Sequence, residues 1–170
     1  NGTGIEYNGL LSNRLQVAAN TTHIQKRYQD SDLAHYYDGH SNSQAALVMY
    51  QPKSQLLIYS GVDWLQDRLA DEAESSNKQG IRSGFLYFGD SLGINGNIRY
   101  SKRNFLADNI WYGIHRKDNE YELNVAAWRK QWQWKGFTPK LNYRYQKIES
   151  NLPLYERNNA TWFMTIDKIF

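Results

Sequence analysis

Hydrophobic and polar residues alternate along most of the chain with a period of two. In residues 138–147, Leu141, Tyr143 and Tyr145 share one face, and Lys140, Asn142, Arg144 and Gln146 share the other. The segment before it repeats the pattern, with Tyr121, Leu123, Val125 and Ala127 set against Glu120, Glu122 and Asn124. In residues 92–102 the apolar set is Leu92, Ile94, Ile98 and Tyr100, against Asn95, Asn97, Arg99 and Ser101. Successive side chains of a strand point to opposite faces, so this period predicts strands rather than helices. It predicts about nine strands of barrel-segment length, near 3–11, 13–28, 40–51, 54–68, 79–90, 92–105, 118–130, 137–149 and 159–170. Segments 40–51 and 79–90 alternate weakly, because 45–50 and 85–88 are apolar on both faces. Residues 63–75 also fit a helix through Trp64, Leu65, Leu69 and Ala73, with a strand running into a polar loop the preferred reading.

The predicted connections sort by length. Those at 11–13, 51–54, 90–91 and 133–136 are short; those at 29–39, 70–78, 106–117 and 150–158 are long and polar. Outer-membrane barrels show this alternation, with short periplasmic turns and long extracellular loops. A Greek-key sandwich has no reason to sort its loops so. A bilayer requires every backbone polar group to be paired, which a closed barrel achieves. The period of two supplies an apolar outer face and a polar lumen, the latter assigned Arg99, Arg103, Glu120, Glu122, Lys140, Arg144 and Lys147. Aromatics make up 15% of the chain. Many fall near predicted strand ends: Tyr50, Tyr59, Trp64, Tyr100, Trp111, Tyr112, Trp128, Trp132, Trp134, Phe137 and Trp162. Tyr and Trp collect at membrane interfaces, where the ring is in an apolar setting and its polar atom is wet. Core or ligand-platform aromatics are the competing reading.

The last ten residues place Trp162, Met164, Ile166 and Phe170 on one face and end on Phe. This resembles the amphipathic final strand that bacterial outer-membrane proteins present to the barrel-assembly machinery. Lys168 departs from the apolar pattern and would snorkel towards headgroups. Parity adds an expectation. A complete bacterial barrel has an even strand count with both ends in the periplasm. Nine strands ending on a periplasmic Phe170 would start outside, so the chain is expected to begin partway round a barrel. The lack of an initiator Met and of a leader agrees with this.

The length, 170 residues, is that of one domain. No apolar run approaches the ~18 residues of a transmembrane helix. The net charge of +3 is dispersed, so the footprint of a nucleic-acid binder is lacking. The absence of Cys removes disulfides, Cys-based metal sites and thiol nucleophiles. No catalytic motif is present. His35 and His40 lie in a polar stretch with no third ligand placed, so a solvated loop is preferred to a metal site. Asp67, Asp71, Glu72 and Glu74 lack the order of a calcium loop and read as part of an extracellular loop. Ser83 and Ser101 have no strand-centre His to pair with. No enzyme activity, cofactor or metal is therefore expected. Two other classes remain: a secreted carbohydrate-binding β-sandwich, and an outer-membrane pore or enzyme of another barrel family.

Residues 132–155 carry a more specific pattern. Trp134-Lys-Gly-Phe-Thr-Pro139 leads into a strand containing Arg144-Tyr-Gln-Lys147, followed by Ser150-Asn-Leu-Pro153 and a last strand ending in Phe. Upstream lie Arg116-Lys-Asp-Asn-Glu-Tyr121 and Ala127-Trp-Arg129. Together these resemble the C-terminal β-barrel of the surface lipoprotein assembly modifier (Slam) family, over about residues 115–170. The resemblance implies an antiparallel up-and-down outer-membrane barrel of about fourteen strands, preceded by a periplasmic helical-repeat domain, of which residues 1–170 would be the C-terminal part. It also implies a non-enzymatic role in delivering lipoproteins to the cell surface. The implied partners are client surface lipoproteins, outer-membrane lipids and the barrel-assembly machinery. The seam beside 161–170 would be a candidate lateral exit.

Overall fold

The computed structural model describes residues 1–168. It is all-β apart from a few short turns of helix. The strands are β1 (Gly2–Ser12), β2 (Leu15–Lys26), β3 (Gly39–Lys53), β4 (Leu56–Leu69), β5 (Ser76–Phe88), β6 (Leu92–Asp108), β7 (His115–Arg129), β8 (Phe137–Ser150) and β9 (Arg157–Lys168). They form one sheet in sequence order, every neighbour antiparallel. Among the described residues the sheet is open, and β1 and β9 are its edges. Residues 63–75 split between β4, a loop and the first residue of β5; the helical alternative is not adopted.

Directly paired residues share a face, so the register assigns every strand residue. Leu123 stands opposite Ile98 and Tyr145, and Val125 opposite Tyr143. Asn124 stands opposite Asn97 and Arg144 on the other face, with Arg99 opposite Glu122 and Asn142 opposite Ala126. One face thus carries most of the mid-strand aliphatic and aromatic residues, and the other carries the linked charges together with some apolar residues such as Leu47, Met49, Leu57 and Leu86. No second layer covers the apolar face among the described residues, and Ile98, Ile81 and Met164 are 58%, 59% and 69% exposed. A water-soluble sandwich would bury these residues against a facing sheet. Tyr143 is instead half-buried on the surface, its ring 4.6 Å from that of Trp162. No helix among the described residues is long and apolar enough to cross a membrane.

Three residues lie on faces other than expected. Lys147 belongs to the apolar face, opposite Tyr121, near the long-loop end of β8, where it bonds Glu149. Tyr59 and Trp128 belong to the polar face, opposite Gly84 and Gly93. A Cβ at Gly93 would lie 2.1 Å from Trp128 Cε2, so the indole needs a residue without a side chain beneath it. Trp128 packs edge-on against Phe88, and Lys140 Nζ sits 4.6 Å above its ring.

The connections alternate in length, but the strands run further than the alternation alone suggested. β5 starts at Ser76, β6 reaches Asp108 and β7 starts at His115, which shortens the loops to 70–75, 109–114 and 151–156. The long first loop holds α1 (Ser31–Tyr37), started by Asp30, whose carboxylate accepts from the N–H groups of Asp32 and Leu33. At the opposite end the β7–β8 connection has a 3₁₀ turn and then a tight hairpin in which Trp134 and Phe137 exchange backbone bonds of 2.9 Å. Lys135 and Gly136 both have positive φ there, 49° and 83°, as a hairpin turn matched to strand twist requires.

Candidate functional site

The polar face carries a connected run of charges. Register stacks Ser41, Asp67 and Ser76 across β3, β4 and β5, and Lys78, Arg103 and Asp118 across β5, β6 and β7. Asp67 accepts from Lys26 Nζ at 3.0 Å and from the Ser41 hydroxyl, and lies 3.8 Å from Arg103. Arg103 donates through Nε to Glu120 at 2.8 Å and through Nη1 to the Ser76 hydroxyl at 3.1 Å. Glu120 in turn accepts from Lys78. The chain Lys26–Asp67–Arg103–Glu120–Lys78 thus links β2, β4, β5, β6 and β7. Two further pairs, Arg99–Asp63 and Lys140–Asp167, lie on the same face. Nearer its middle Arg144 donates to Asn124 at 3.0 Å, and Asn124 to Asn97 at 3.1 Å. Asp63, Asp67 and Glu120 each face a cation one or two strands away, which lets charge sit on a partly covered wall without the full desolvation cost.

A concavity of about 480 Å³ opens above this run at the long-loop end, lined by Asp67, Glu74, Arg103, Arg116, Glu120 and Arg157 among others. Its rim is held by Arg116. The guanidinium stacks on Phe105 at 4.4 Å and Tyr155 at 3.7 Å and forks onto Asp118 at 3.1 and 2.6 Å. Asn151 ties loop 151–156 to β7, accepting from Lys117 N–H and donating to the His115 carbonyl. Tyr155 accepts from Asn109 across the two loops at 2.8 Å. Burial pushes the Glu74 carboxyl pKa up, Arg116 opposes this and Asp71 adds to it.

The residues expected to present an assembly signal sit where the alternation puts them. Trp162, Met164 and Ile166 lie on the apolar face of β9, opposite Tyr143, Leu141 and Pro139; Phe170 lies outside the described residues. Asp67 is a correction: it is part of β4 and the polar face, not of a solvated loop. The network partners Lys26, Asp63 and Lys78 were also not anticipated. His35 stacks on Tyr36 in α1, whereas His40 lies in β3 beside His23, so the two do not form one site. Among the described residues no group of three or more His, Asp or Glu side chains could hold a metal. Ser83 bonds Ser60, and Ser101 is buried on the polar face.

The surface lipoprotein assembly modifier family model matches residues 1–170, the entire chain and not only its last third. The chain belongs to this family. A surface lipoprotein assembly modifier of Pasteurella multocida is 27% identical over 158 residues, covering 87% of this chain and 30% of that protein. Surface lipoprotein assembly modifier 1 of Haemophilus influenzae is 23% identical over 170 residues, 99% of this chain and 34% of that protein. Surface lipoprotein assembly modifier 2 of Neisseria meningitidis is 23% identical over 164 residues, 89% of this chain and 32% of that protein. The chain therefore spans about a third of the length of the curated relatives it matches. No solved structure matches it. The family's name is that of an assembly modifier, not of an enzyme, and the two-faced sheet is the form that name attaches to here.

Proposed function

We propose that this chain is part of the wall of an outer-membrane β-barrel that delivers lipoproteins to the bacterial cell surface. The carrying observation is the division of one uncovered sheet into an apolar face and a charged face, which suits lipid outside and a hydrated passage inside. Edges cannot lie bare in hydrocarbon. Further strands of the same protein would therefore lie between β1 and β9 and close the wall. The names of the relatives, surface lipoprotein assembly modifiers, support lipoproteins as clients.

The inner face offers a passing chain fixed charges of both signs rather than a sticky apolar surface. Asp63 Oδ1, Arg82 Nε and Arg99 Nε are buried and have no partner among the described residues, so hydrogen-bonding capacity remains in mid-wall. No covalent step is called for. The lipid anchor of a client would leave sideways, at the seam that β9 borders. β9 is exposed along its length but has no Gly or Pro in Arg157–Lys168 to weaken it, so its partner strand would have to supply the weakness. Trp162, Met164, Ile166 and Phe170 would present this strand to the barrel-assembly machinery.

Deleting the full-length gene tests the reading. Client lipoprotein should remain in the outer membrane at normal total amount and lose protease accessibility on intact cells. Undiminished accessibility would contradict it. Locking the seam with a Cys pair across β9 then tests the exit: display should stop, and undisturbed display would remove the lateral route.

A further inference from the structure

We propose that the outward rim of β4, β6 and β7 binds the phosphates of a phosphorylated glycolipid in the outer leaflet. The inference rests on reading the sheet as an outer-membrane wall. On the outward face the apolar zone ends abruptly near the long-loop end. From β2 to β7 the row Ala19, Ala46, Val62, Ile81, Tyr100, Tyr121 is apolar, and on β8 it ends in Lys147. One step further the row is Thr21, Gln44, Trp64, Gln79, Lys102, Asn119. The next is His23, Asn42, Gln66, Asn77, Asn104, Lys117. Amides and cations thus follow directly on the hydrocarbon zone, at headgroup depth.

Charge is unbalanced there. Glu149 is taken by Lys147 and Tyr121, and Asp108 by His115. Arg68 donates only to neutral acceptors: the carbonyls of Asp67 and Ser76, and Asn77 Oδ1 at 2.8 Å. Lys102 and Lys117 are exposed, and their side chains have no ion pair or hydrogen bond among the described residues. A cation beside hydrocarbon gains most from an anion it can reach without leaving the interface. Phosphate is the anion of that layer, and a Lys ammonium meets it as a point charge.

The neighbouring groups favour a sugar-bearing lipid over a simple phospholipid. Gln66, Gln79 and Asn104 stand outward with their amides unbonded among the described residues, and offer both donors and acceptors to hydroxyls. Tyr100 and Tyr121 lie below them with centroids 5.1 Å apart and planes tilted by 40°, an aromatic step against which acyl chains can rest.

The test uses the full-length protein purified in detergent and titrated with three lipids: a diphosphorylated glycolipid A, its dephosphorylated form, and phosphatidylglycerol. The diphosphorylated form should bind, and removing its phosphates should weaken binding about tenfold. The double variant K102Q/K117Q should lose about as much, while R129Q, an exposed outward cation at the opposite end, should bind normally. Equal binding by the double variant, or by the dephosphorylated lipid, overturns the proposal. Equal binding of phosphatidylglycerol overturns the sugar-bearing ligand. A heat-dependent shift in gel mobility reports barrel folding in the same samples. Loss of that shift in the unsubstituted protein would contradict the wall itself, whereas a folded barrel indifferent to phosphate contradicts only the rim.

Discussion

Glu120 is the residue on which the inner charge run turns. It sits between Lys78, whose side chain is 7% exposed, and Arg103, and accepts from both. Replacing it with Ala would leave Lys78 charged, nearly covered and facing no carboxylate. Breaking a covered pair from one side is far more costly than the pair is worth, because the remaining ion keeps its desolvation cost. The E120A protein should lose about 3 kcal/mol of folded stability, read as a lowered urea midpoint in detergent. A midpoint unchanged from the parent would mean that lumen solvent, not Glu120, neutralises Lys78. Single residues are also where the sequence was least legible. Lys147 reads as lumenal by its charge, although its odd position in β8 puts it with Tyr143 and Tyr145. Trp128 and Tyr59 read as interfacial because an aromatic near a strand end usually is. Only the register shows Gly93 and Gly84 opposite them, and with those glycines a place for a ring on the inner face.

The strands themselves were the readable level, because the period of two survives wherever one face meets lipid and the other water. Leu123 and Asn124 are adjacent in β7 yet lie on opposite faces, the one assigned to lipid and the other to the lumen. Arg at Leu123 would put a guanidinium in the apolar zone, flanked by Ile98 and Tyr145. That should cost about 2–4 kcal/mol. Arg at Asn124, beside Asn97 and Arg144, should cost less than about 1 kcal/mol. The folded fraction after refolding into bilayers of defined lipid measures both; equal penalties would deny the two-sided environment. Beyond the hydrocarbon zone the alternation fades, since both faces there are polar. The outer ends of β5, β6 and β7, including Ser76, Asp108 and His115, therefore carry no strand signal in the sequence. The same fading hid Asp67 and Lys78, at the polar ends of β4 and β5. α1 was missed because seven residues are too few for helical periodicity to show, although Asp30 marked its start.

At the scale of the molecule, nine strands in sequence order make a sheet with no core between layers. Few large apolar side chains are buried: Phe105 and Leu152 lie where loops close over the rim, and Trp128 covers Gly93 near the short-turn end. Such a sheet is stable only if its apolar face has a solvent of its own. The register divides the sheet into an apolar and a charged face, and the family match runs over the same residues, 1–170. The most direct measurement is solvent accessibility residue by residue in the full-length protein in intact outer membranes. The chain has no Cys, so single cysteines report without background from this region. Cysteine at Asn124 or Asn142, both on the polar face and part-exposed, should react with a water-soluble maleimide. Cysteine at Leu123 or Tyr143 should stay unreacted while accepting a lipid-phase probe. Aqueous labelling of Leu123 and Tyr143 as fast as that of Asn124 would contradict the assignment of this face to lipid, and with it the barrel wall.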